Sequence, residues 1–475
     1  MRGGRRTARA YGLGWWSVAD ARHTARMPPA ATPTDDLAER LARLMGSRIE
    51  GLQRLSGGAS RETWAFDAIA ADGGRQALIL RRDPPGAVRV GGMPLEARMF
   101  RAAAAVGVPV PTLHHSGGAD ESLLGTGFLV MDRLAGETIA RKILRDPEFA
   151  HARTVTVGQM GAALARLHAV PVDSIEGLEP SDAMTKYRTT LDESGFQSPT
   201  FELAFRWLVA NRPTSRPTTV VHGDFRLGNV IIGPDGLVAV LDWELAHLGD
   251  PMADFGWLCA RVWSFGGPGP VAGMGTYQQL FDAYEAAGGA KVDPEVVRWW
   301  VTLSTLMWGV MCVMQATAHT SGAIRSVELA AIGRRVAEQE HDLLDLLGVA
   351  SVVPPAVPPA PTAYDLRGFP SSRLLLEALR EYLERDVMAA TGGRVQFHGR
   401  VAANVVSIID RELALGPELV RAHTEGIAAF GVSDEAGLAA AIRSGALDDR
   451  LGEVGTFARR IVSTRLAIAN PKYAR

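Results

Sequence analysis

The chain has 475 residues, of which 47% are hydrophobic, 21% charged and 7% aromatic. This composition excludes a wholly disordered or fibrous protein, and the length predicts two or three domains. The net charge of -2 gives no general attraction to a polyanion, so neither nucleic acid nor a membrane surface is expected as the main partner. The two cysteines lie among apolar neighbours, which is typical of a reducing compartment, and we expect a cytoplasmic location.

The chain begins with an arginine-rich stretch that has no apolar run long enough for a signal peptide. We therefore expect residues 1–35 to be a disordered extension.

The next three hundred residues change in character from strand-like to helical. Residues 36–134 contain short alternating apolar segments typical of strands, with one helical pattern among them. Residues 135–350 are mainly helical, and their long uncharged run Trp299–Ala316 predicts a buried core helix. A small antiparallel-sheet lobe followed by a larger helical lobe predicts an α+β fold.

A proline-rich linker at residues 351–364 separates this part from the tail, because closely spaced prolines prevent a continuous helix. Residues 365–475 carry apolar residues at helical spacing and predict an all-α bundle. After a first amphipathic helix, four further helices are expected, at Arg400–Leu415, Glu418–Phe430, Asp434–Ser444 and Val454–Ile468.

The most informative motif is His222–Asn229, which reads His-Gly-Asp-Phe-Arg-Leu-Gly-Asn. It is followed by a short apolar strand Val230–Ile232, a turn Gly233–Gly236 and a second strand Leu237–Leu241 that ends at Asp242. Antiparallel pairing about this turn places the start of the first strand and the end of the second at the same end of the hairpin.

This arrangement favours phosphoryl transfer. Asn229 and Asp242 would lie roughly 5 Å apart across the hairpin, and their oxygens are ligands that magnesium prefers. Asp224, just upstream, would accept or orient a hydroxyl proton, and Arg226 would place a permanent cation near a γ-phosphate. His222 is expected to be part of the loop scaffold rather than a base.

These residues also carry a family resemblance. His222-Gly223-Asp224 with Asn229, Asp242-Trp243-Glu244 and the later Gly249–Asp254 segment resemble the aminoglycoside phosphotransferase-like kinases. The likeness covers about residues 40–348 and is strongest to the kinase domains related to acyl-CoA dehydrogenase family proteins. It implies a two-lobed protein-kinase-like fold that binds ATP and magnesium between its lobes.

By position, the resemblance makes Asp224 the catalytic aspartate and Asn229 and Asp242 the metal ligands. Asp250 and Asp254 look like structural anchors. Further residues are implied to contact the nucleotide: the phosphate-covering loop Ser56, Gly57, Gly58, Ala59 and Ser60, the helix acid Glu96, and the interlobe hinge Met131, Asp132, Arg133 and Leu134.

The third strand departs from the family pattern, because it offers Arg81 and Arg82 where most kinases have lysine. Arg81 is taken as the phosphate-contacting residue, although strand alternation alone does not decide between the two. Arginine can bind phosphate bidentately, but its head is longer than an ammonium group and differently shaped.

The sequence therefore predicts an ATP- and magnesium-dependent transfer of the γ-phosphoryl group to a hydroxyl of a small molecule. The nearest subfamily implies a hydroxyacyl compound or its CoA thioester as acceptor. Two alternatives remain open, a catalytically silent nucleotide-binding module and a metal-dependent hydrolase. The tail resembles a helical domain of unknown function through Phe397–Asn404, and partner docking or oligomerisation is our hypothesis for it.

Overall fold

The computed structural model describes residues 34–55, 61–84, 92–119, 122–214, 217–362 and 368–473. The predicted extension lies outside these residues except for its last two positions, as does the whole of the predicted phosphate-covering loop Ser56–Ser60. The chain divides into two compact units. The first comprises residues 1–180, 217–254 and 274–291, and the second 181–216, 255–273 and 292–475.

The first unit opens with a helix and a five-stranded antiparallel sheet in the order β1-β2-β3-β5-β4. These elements are α1 (Thr34–Met45), β1 (Arg48–Arg54), β2 (Glu62–Ile69), β3 (Arg75–Arg82), α2 (Gly92–Ala105), β4 (Leu113–Gly117) and β5 (Phe128–Asp132).

The sheet forms because alternate residues of its strands are apolar and share one face. Phe66 of β2 and Leu78 and Leu80 of β3 are fully buried there, and they pack in one cluster with Leu37 and Leu41 of α1. The antiparallel sheet predicted for the N-terminal region is confirmed.

The rest of the first unit contains helices and two small strand pairs. They are α3 (Ala140–Arg145), α4 (Ala152–His168), β6 (Thr219–Val221), β7 (Val230–Gly233), β8 (Gly236–Val240), β9 (His247–Gly249) and α8 (Tyr277–Ala286). Strand β6 pairs with β9, and β7 pairs with β8 about the predicted turn, so the predicted hairpin is confirmed. A short helix α7 (Met252–Leu258) crosses the boundary between the units.

Helices alone make up the regular structure described in the second unit. They are α5 (Ala183–Ser194), α6 (Pro199–Ala210), α9 (Pro294–Thr320), α10 (Val327–Gly333), α11 (Val336–Leu346), α12 (Ser372–Tyr382), α13 (Met388–Ala390), α14 (Gly393–Ile427), α15 (Glu435–Ser444) and α16 (Leu451–Ala469), with short 3-10 and π turns between them.

Helix α9 contains the long uncharged run. It is the one helix in the described part of the chain that is long and apolar enough to cross a membrane, and 72% of its apolar window is buried inside the protein. Its Leu303, Leu306 and Val310 are fully buried and pack with Phe201 of α6. The predicted core helix is confirmed.

One prediction for the tail is wrong. The expected break between Arg400–Leu415 and Glu418–Phe430 is absent, since α14 runs without interruption and includes Pro417. Proline removes one backbone hydrogen bond and crowds the preceding turn, but it does not force a helix to end where neighbouring turns are packed. Here Leu415 and Ile427 on either side are buried.

The tail shares a hydrophobic cluster with helices that precede the linker. Leu203 of α6 and Leu344 of α11 pack in the same cluster as Leu438 of α15 and Phe457 of α16. The second unit is therefore held together by apolar contacts between segments far apart in the sequence.

Candidate active site

The loop between β6 and β7 carries the central motif, and buried hydrogen bonds fix its conformation. His222 is fully buried; its Nε2 lies 2.9 Å from the carbonyl oxygen of Leu241, and its Nδ1 accepts from the backbone N–H of Asp224 at 3.2 Å. The neutral tautomer with the proton on Nε2 satisfies both contacts. His222 thus acts as a scaffold, as the sequence predicted.

Asp254 braces the start of the same loop. Its fully buried carboxylate accepts hydrogen bonds from the backbone N–H groups of His222 and Gly223, both at 2.9 Å, and contacts His168 Nε2 at 3.2 Å. Asp250 instead binds the backbone N–H of Met252 at the start of α7. Both aspartates hold backbone in place, which agrees with the predicted anchor role.

Gly223 is required by a close approach of two backbone segments. Its φ is +80°, and a Cβ atom there would lie 2.3 Å from the carbonyl oxygen of Leu245. A larger residue would move the loop away from this segment.

The carboxylate of Asp224 is held from two sides. Arg226 Nε donates to Oδ1 at 2.9 Å, and Asn229 Nδ2 donates to Oδ2 at 2.5 Å. The same Asn229 nitrogen also contacts the Asp224 carbonyl oxygen at 3.0 Å. Arg226 therefore binds Asp224 directly, a contact that the sequence did not predict, and the amide oxygen of Asn229 is the atom suited to a metal.

The hairpin brings Asn229 and Asp242 to the same end. Val230 pairs with Val240, and the backbone N–H of Leu241 donates to the carbonyl oxygen of Asn229 at 2.8 Å. Asp242 follows at once, in a left-handed conformation with φ of +64°. Non-glycine residues rarely adopt this conformation, and where they do it often marks a functional position.

Arg81 extends from β3 to this carboxylate. One guanidinium nitrogen pairs with Glu96 of α2 at 2.5 Å, and the other pairs with Asp242. Arg82 has its own partner, since its Nε contacts Glu62 at 2.7 Å and its guanidinium lies over the Trp64 ring. Geometry thus distinguishes two residues that the sequence left equal, and Arg81 is the one beside the hairpin end.

Ion pairing sets the charge of these groups. Burial alone would raise the pKa of Asp242, but the Arg81 guanidinium more than offsets this and keeps that pKa below its usual value. Burial would likewise lower the pKa of Arg81, but Glu96 and Asp242 raise it. Burial, followed by the neighbouring Asp242 carboxylate, raises the pKa of Glu244 to about 7.

Arg61, directly before β2, is a site residue that the sequence did not reveal. It is 5% exposed, and its guanidinium contacts Asp83 at 3.2 Å, Glu244 at 3.3 Å and, most closely, Glu96. No local motif marks Arg61, and its partners lie far along the chain. The only signal was its position directly after the predicted phosphate loop.

The predicted hinge lies at the end of β5. Met131 is buried and pairs with Ile79, while the backbone N–H groups of Asp132 and Arg133 donate to Thr112 and Ala77 within the sheet. A purine at this edge would therefore use other backbone groups, such as those of Leu134.

The donor set at the hairpin end fits magnesium. Asn229 and Asp242 supply amide and carboxylate oxygens at the same end of the hairpin. Imidazole is not part of this set, because both ring nitrogens of His222 are already engaged with backbone groups.

The antiparallel sheet with its Arg–Glu pair, the braced His-Gly-Asp loop and the hairpin that ends in aspartate together form a kinase-like fold. Residues 51–300 match the phosphotransferase enzyme family, and the chain belongs to that family. Residues 389–473 match a domain of unknown function, DUF6285. Both resemblances found in the sequence, and the predicted kinase-like fold with a helical tail, are confirmed.

Relatives agree with this assignment. The chain is 34% identical over 251 residues to acyl-CoA dehydrogenase family member 10 of Mus musculus, a match that spans 48% of this chain and 22% of that protein. It is 26% identical over 211 residues to a homoserine kinase of Methylocella silvestris, covering 42% of this chain and 62% of that protein.

A solved structure from Ralstonia eutropha, named as a candidate aminoglycoside phosphotransferase, has the same fold. It superposes with a TM-score of 0.52 at 22% identity, and the match covers 66% of this chain and 99% of that one.

Proposed function

We propose that the protein transfers the γ-phosphoryl group of ATP, with magnesium, to a hydroxyl group of a small molecule. The observation that carries this proposal is the Asp224 carboxylate, held by Arg226 and Asn229 next to a hairpin end that presents Asp242. Phosphoryl transfer needs little covalent help from a protein, so a fixed base and a metal-binding end are its main requirements.

Asp224 would take the proton of the acceptor hydroxyl as that oxygen forms a bond to the γ-phosphorus. The bond between this phosphorus and the bridging oxygen then breaks, and ADP leaves with the electron pair. Arg226 and Asn229 keep Asp224 in one orientation throughout. Magnesium bound by Asn229 and Asp242 would neutralise phosphate charge, and Arg81 would contact the phosphates once its ion pair with Asp242 opens.

The acceptor we propose is a hydroxyacyl compound or its CoA thioester. Support comes from the relatives named as acyl-CoA dehydrogenase family members, in which the matched region is part of a longer protein. An enzyme of acyl-CoA chemistry and a hydroxyl kinase in one chain would act on related compounds. The expected location remains the cytoplasm.

The two alternative functions, a catalytically silent nucleotide-binding module and a metal-dependent hydrolase, would require different properties of the site. A hydrolase with imidazole on its metal is disfavoured, because both nitrogens of His222 contact backbone groups. A silent module would bind ATP and magnesium without turnover.

A substrate screen tests the proposal. The 475-residue chain is incubated with ATP, magnesium and a panel of hydroxyacyl-CoA thioesters, free hydroxy acids, amino alcohols and aminoglycosides, and both ADP and phosphorylated product masses are measured. A phosphorylated hydroxyacyl compound supports the whole proposal. Phosphorylation of another class alone would correct the acceptor, and ADP release that no compound stimulates would contradict transfer.

Asp224→Asn should lower kcat about 10²- to 10⁴-fold, because the base is lost. ATP affinity should stay nearly constant, since the contacts to nucleotide are made elsewhere. Asp235→Asn, in the exposed turn of the same hairpin, is the matched control and should leave kcat unchanged. Equal activity of Asp224→Asn and wild type would exclude Asp224 as the base.

A further inference from the structure

Arg61 joins three separate segments of the first unit. Asp83 follows β3, Glu96 lies in α2, and Glu244 lies just after the hairpin. All three carboxyl groups are within ion-pair distance of one guanidinium group. The side chains of Arg61, Glu96 and Glu244 are each no more than 5% exposed, so water does little to screen these contacts.

The contacts of Arg61 and Arg81 close into a ring. Glu96 binds Arg61 through one carboxylate oxygen and Arg81 through the other. Arg81 continues to Asp242, while Arg61 continues to Glu244. Because Asp242 and Glu244 are two residues apart on one segment, the two arginines hold that segment from both sides.

The charges within this ring make Arg61 important. Two guanidinium groups lie among four carboxyl groups, those of Asp83, Glu96, Asp242 and Glu244. Without Arg61, Arg81 would face these acids alone, and Glu96 and Glu244 would lose a buried partner. Breaking buried ion pairs from one side is costly and makes the remaining charges rearrange.

Metal binding adds a second requirement. Arg81 is ion-paired with Asp242, so a metal ion bound by that carboxylate and a phosphate bound by Arg81 would both compete with this ion pair. A movement of Arg81 would also disturb its other partner, Glu96, and Arg61 is a second cation that holds Glu96 in place.

We propose that Arg61 is a positioning residue that keeps Glu96 and Glu244 fixed while Arg81 exchanges Asp242 for phosphate. This inference rests on the proposed nucleotide and magnesium site. In most kinases, a lysine–glutamate pair alone forms this contact. Here Arg81 of the third strand has a second arginine, Arg61, as its support. Lysine cannot replace Arg61 fully, because an ammonium group lacks the planar fork that reaches several carboxylates at once.

The test measures binding of a non-hydrolysable ATP analogue, AMP-PNP, to the whole 475-residue chain, by calorimetry over a range of magnesium concentrations. Arg61→Lys and Arg61→Gln should weaken binding at least about tenfold, with Gln worse than Lys. Both should also raise the magnesium concentration at half-maximal binding, because the segment with Asp242 is no longer held.

Arg82→Lys and Arg82→Gln are the matched controls. Arg82 is also buried in the sheet and ion-paired, but its partner is Glu62, which is not a member of the ring. These variants should lose thermal stability to a similar extent while AMP-PNP affinity stays within about threefold of wild type. If Arg61→Gln does not fold, the AMP-PNP affinities of Arg61→Lys and Arg82→Lys are compared instead, and this comparison decides whether the inference holds.

Two results would overturn the inference: Arg61 variants that bind AMP-PNP and magnesium as wild type does, or Arg82 variants that lose as much affinity as the Arg61 variants. Failure of the wild-type protein itself to bind AMP-PNP with magnesium is a distinct result, and it would contradict the proposed function.

Discussion

Asp342 on α11 shows how burial, against a nearby cation, can change the charge of a residue. Its side chain is 4% exposed, accepts a hydrogen bond from the Tyr473 hydroxyl at 2.5 Å and pairs with Arg261 at 3.2 Å. Asp345 and Glu338 also face it. Burial is the largest cause that raises the pKa of Asp342 to about 7. The group is therefore neutral in the folded protein at pH values where it would be ionised after unfolding.

This shift predicts a pH dependence of stability. An acid with a raised pKa in the folded state stabilises the fold at low pH, and that contribution is lost as the pH rises from about 4 through 7, at most about 1.4 kcal/mol per pH unit. Asp342→Asn removes the ionisation. As the pH rises from 5 to 8, the melting temperature of wild type should therefore decrease relative to that of this variant, as measured by calorimetry.

Asp449→Asn, at an exposed position, is the control and should show no such trend. A constant difference between wild type and Asp342→Asn across this pH range would contradict a raised pKa for Asp342.

At the scale of elements, sequence reasoning succeeded where the deciding information is local. The hairpin from Val230 to Val240 was predictable because its turn residues lie between two short apolar strands. The side-by-side placement of Asn229 and Asp242 followed from that register. Arg61 was not predictable, because its role depends on where α2 and the hairpin pack, and no local pattern encodes those long-range contacts.

Helix α14 shows a different kind of error, because here the tertiary structure overrides a local sequence signal. Pro417 predicted a helix end, but packing on both sides maintains the helix. Intrinsic propensity is a weak guide wherever a helix gains more from buried contacts than it loses at one residue.

The continuous helix gives a prediction at this scale. Pro417 is exposed, so its replacement restores a backbone donor without disturbing the core. Pro417→Ala should increase stability by about 1 to 3 kcal/mol, measured as a higher melting temperature and urea midpoint. Glu418→Ala, the next exposed position, should change stability by less than about 0.5 kcal/mol. A lower midpoint for Pro417→Ala would show that the proline fits the helix without strain.

At the scale of the whole molecule, the domain of unknown function is part of a shared core. Leu438 belongs to a cluster that includes Leu203 and Leu344 from helices before the linker. Ion pairs accompany it, since Arg459 of α16 contacts Asp345 at 2.6 Å and is itself 1% exposed. Such contacts favour unfolding of the second unit as one cooperative body.

Two core variants test this cooperativity. Leu438→Ala in α15 and Leu306→Ala in α9 each empty a fully buried position and should cost about 2 to 5 kcal/mol. Both should lower the temperature of the same calorimetric transition, although one lies in the tail and the other before the linker. Separate transitions, each shifted by only one variant, would show that the tail folds independently. An exposed leucine, Leu375→Ala, is the control.

The left-handed backbone at Asp242 has a consequence for evolution in the laboratory. A non-glycine residue in this conformation costs roughly 1 to 2 kcal/mol, and glycine would relieve that strain. Glycine would also remove the carboxylate that pairs with Arg81, and breaking this largely buried ion pair from one side costs more than the strain that glycine relieves. Libraries screened only for thermal tolerance should therefore retain aspartate at position 242 rather than accumulate glycine.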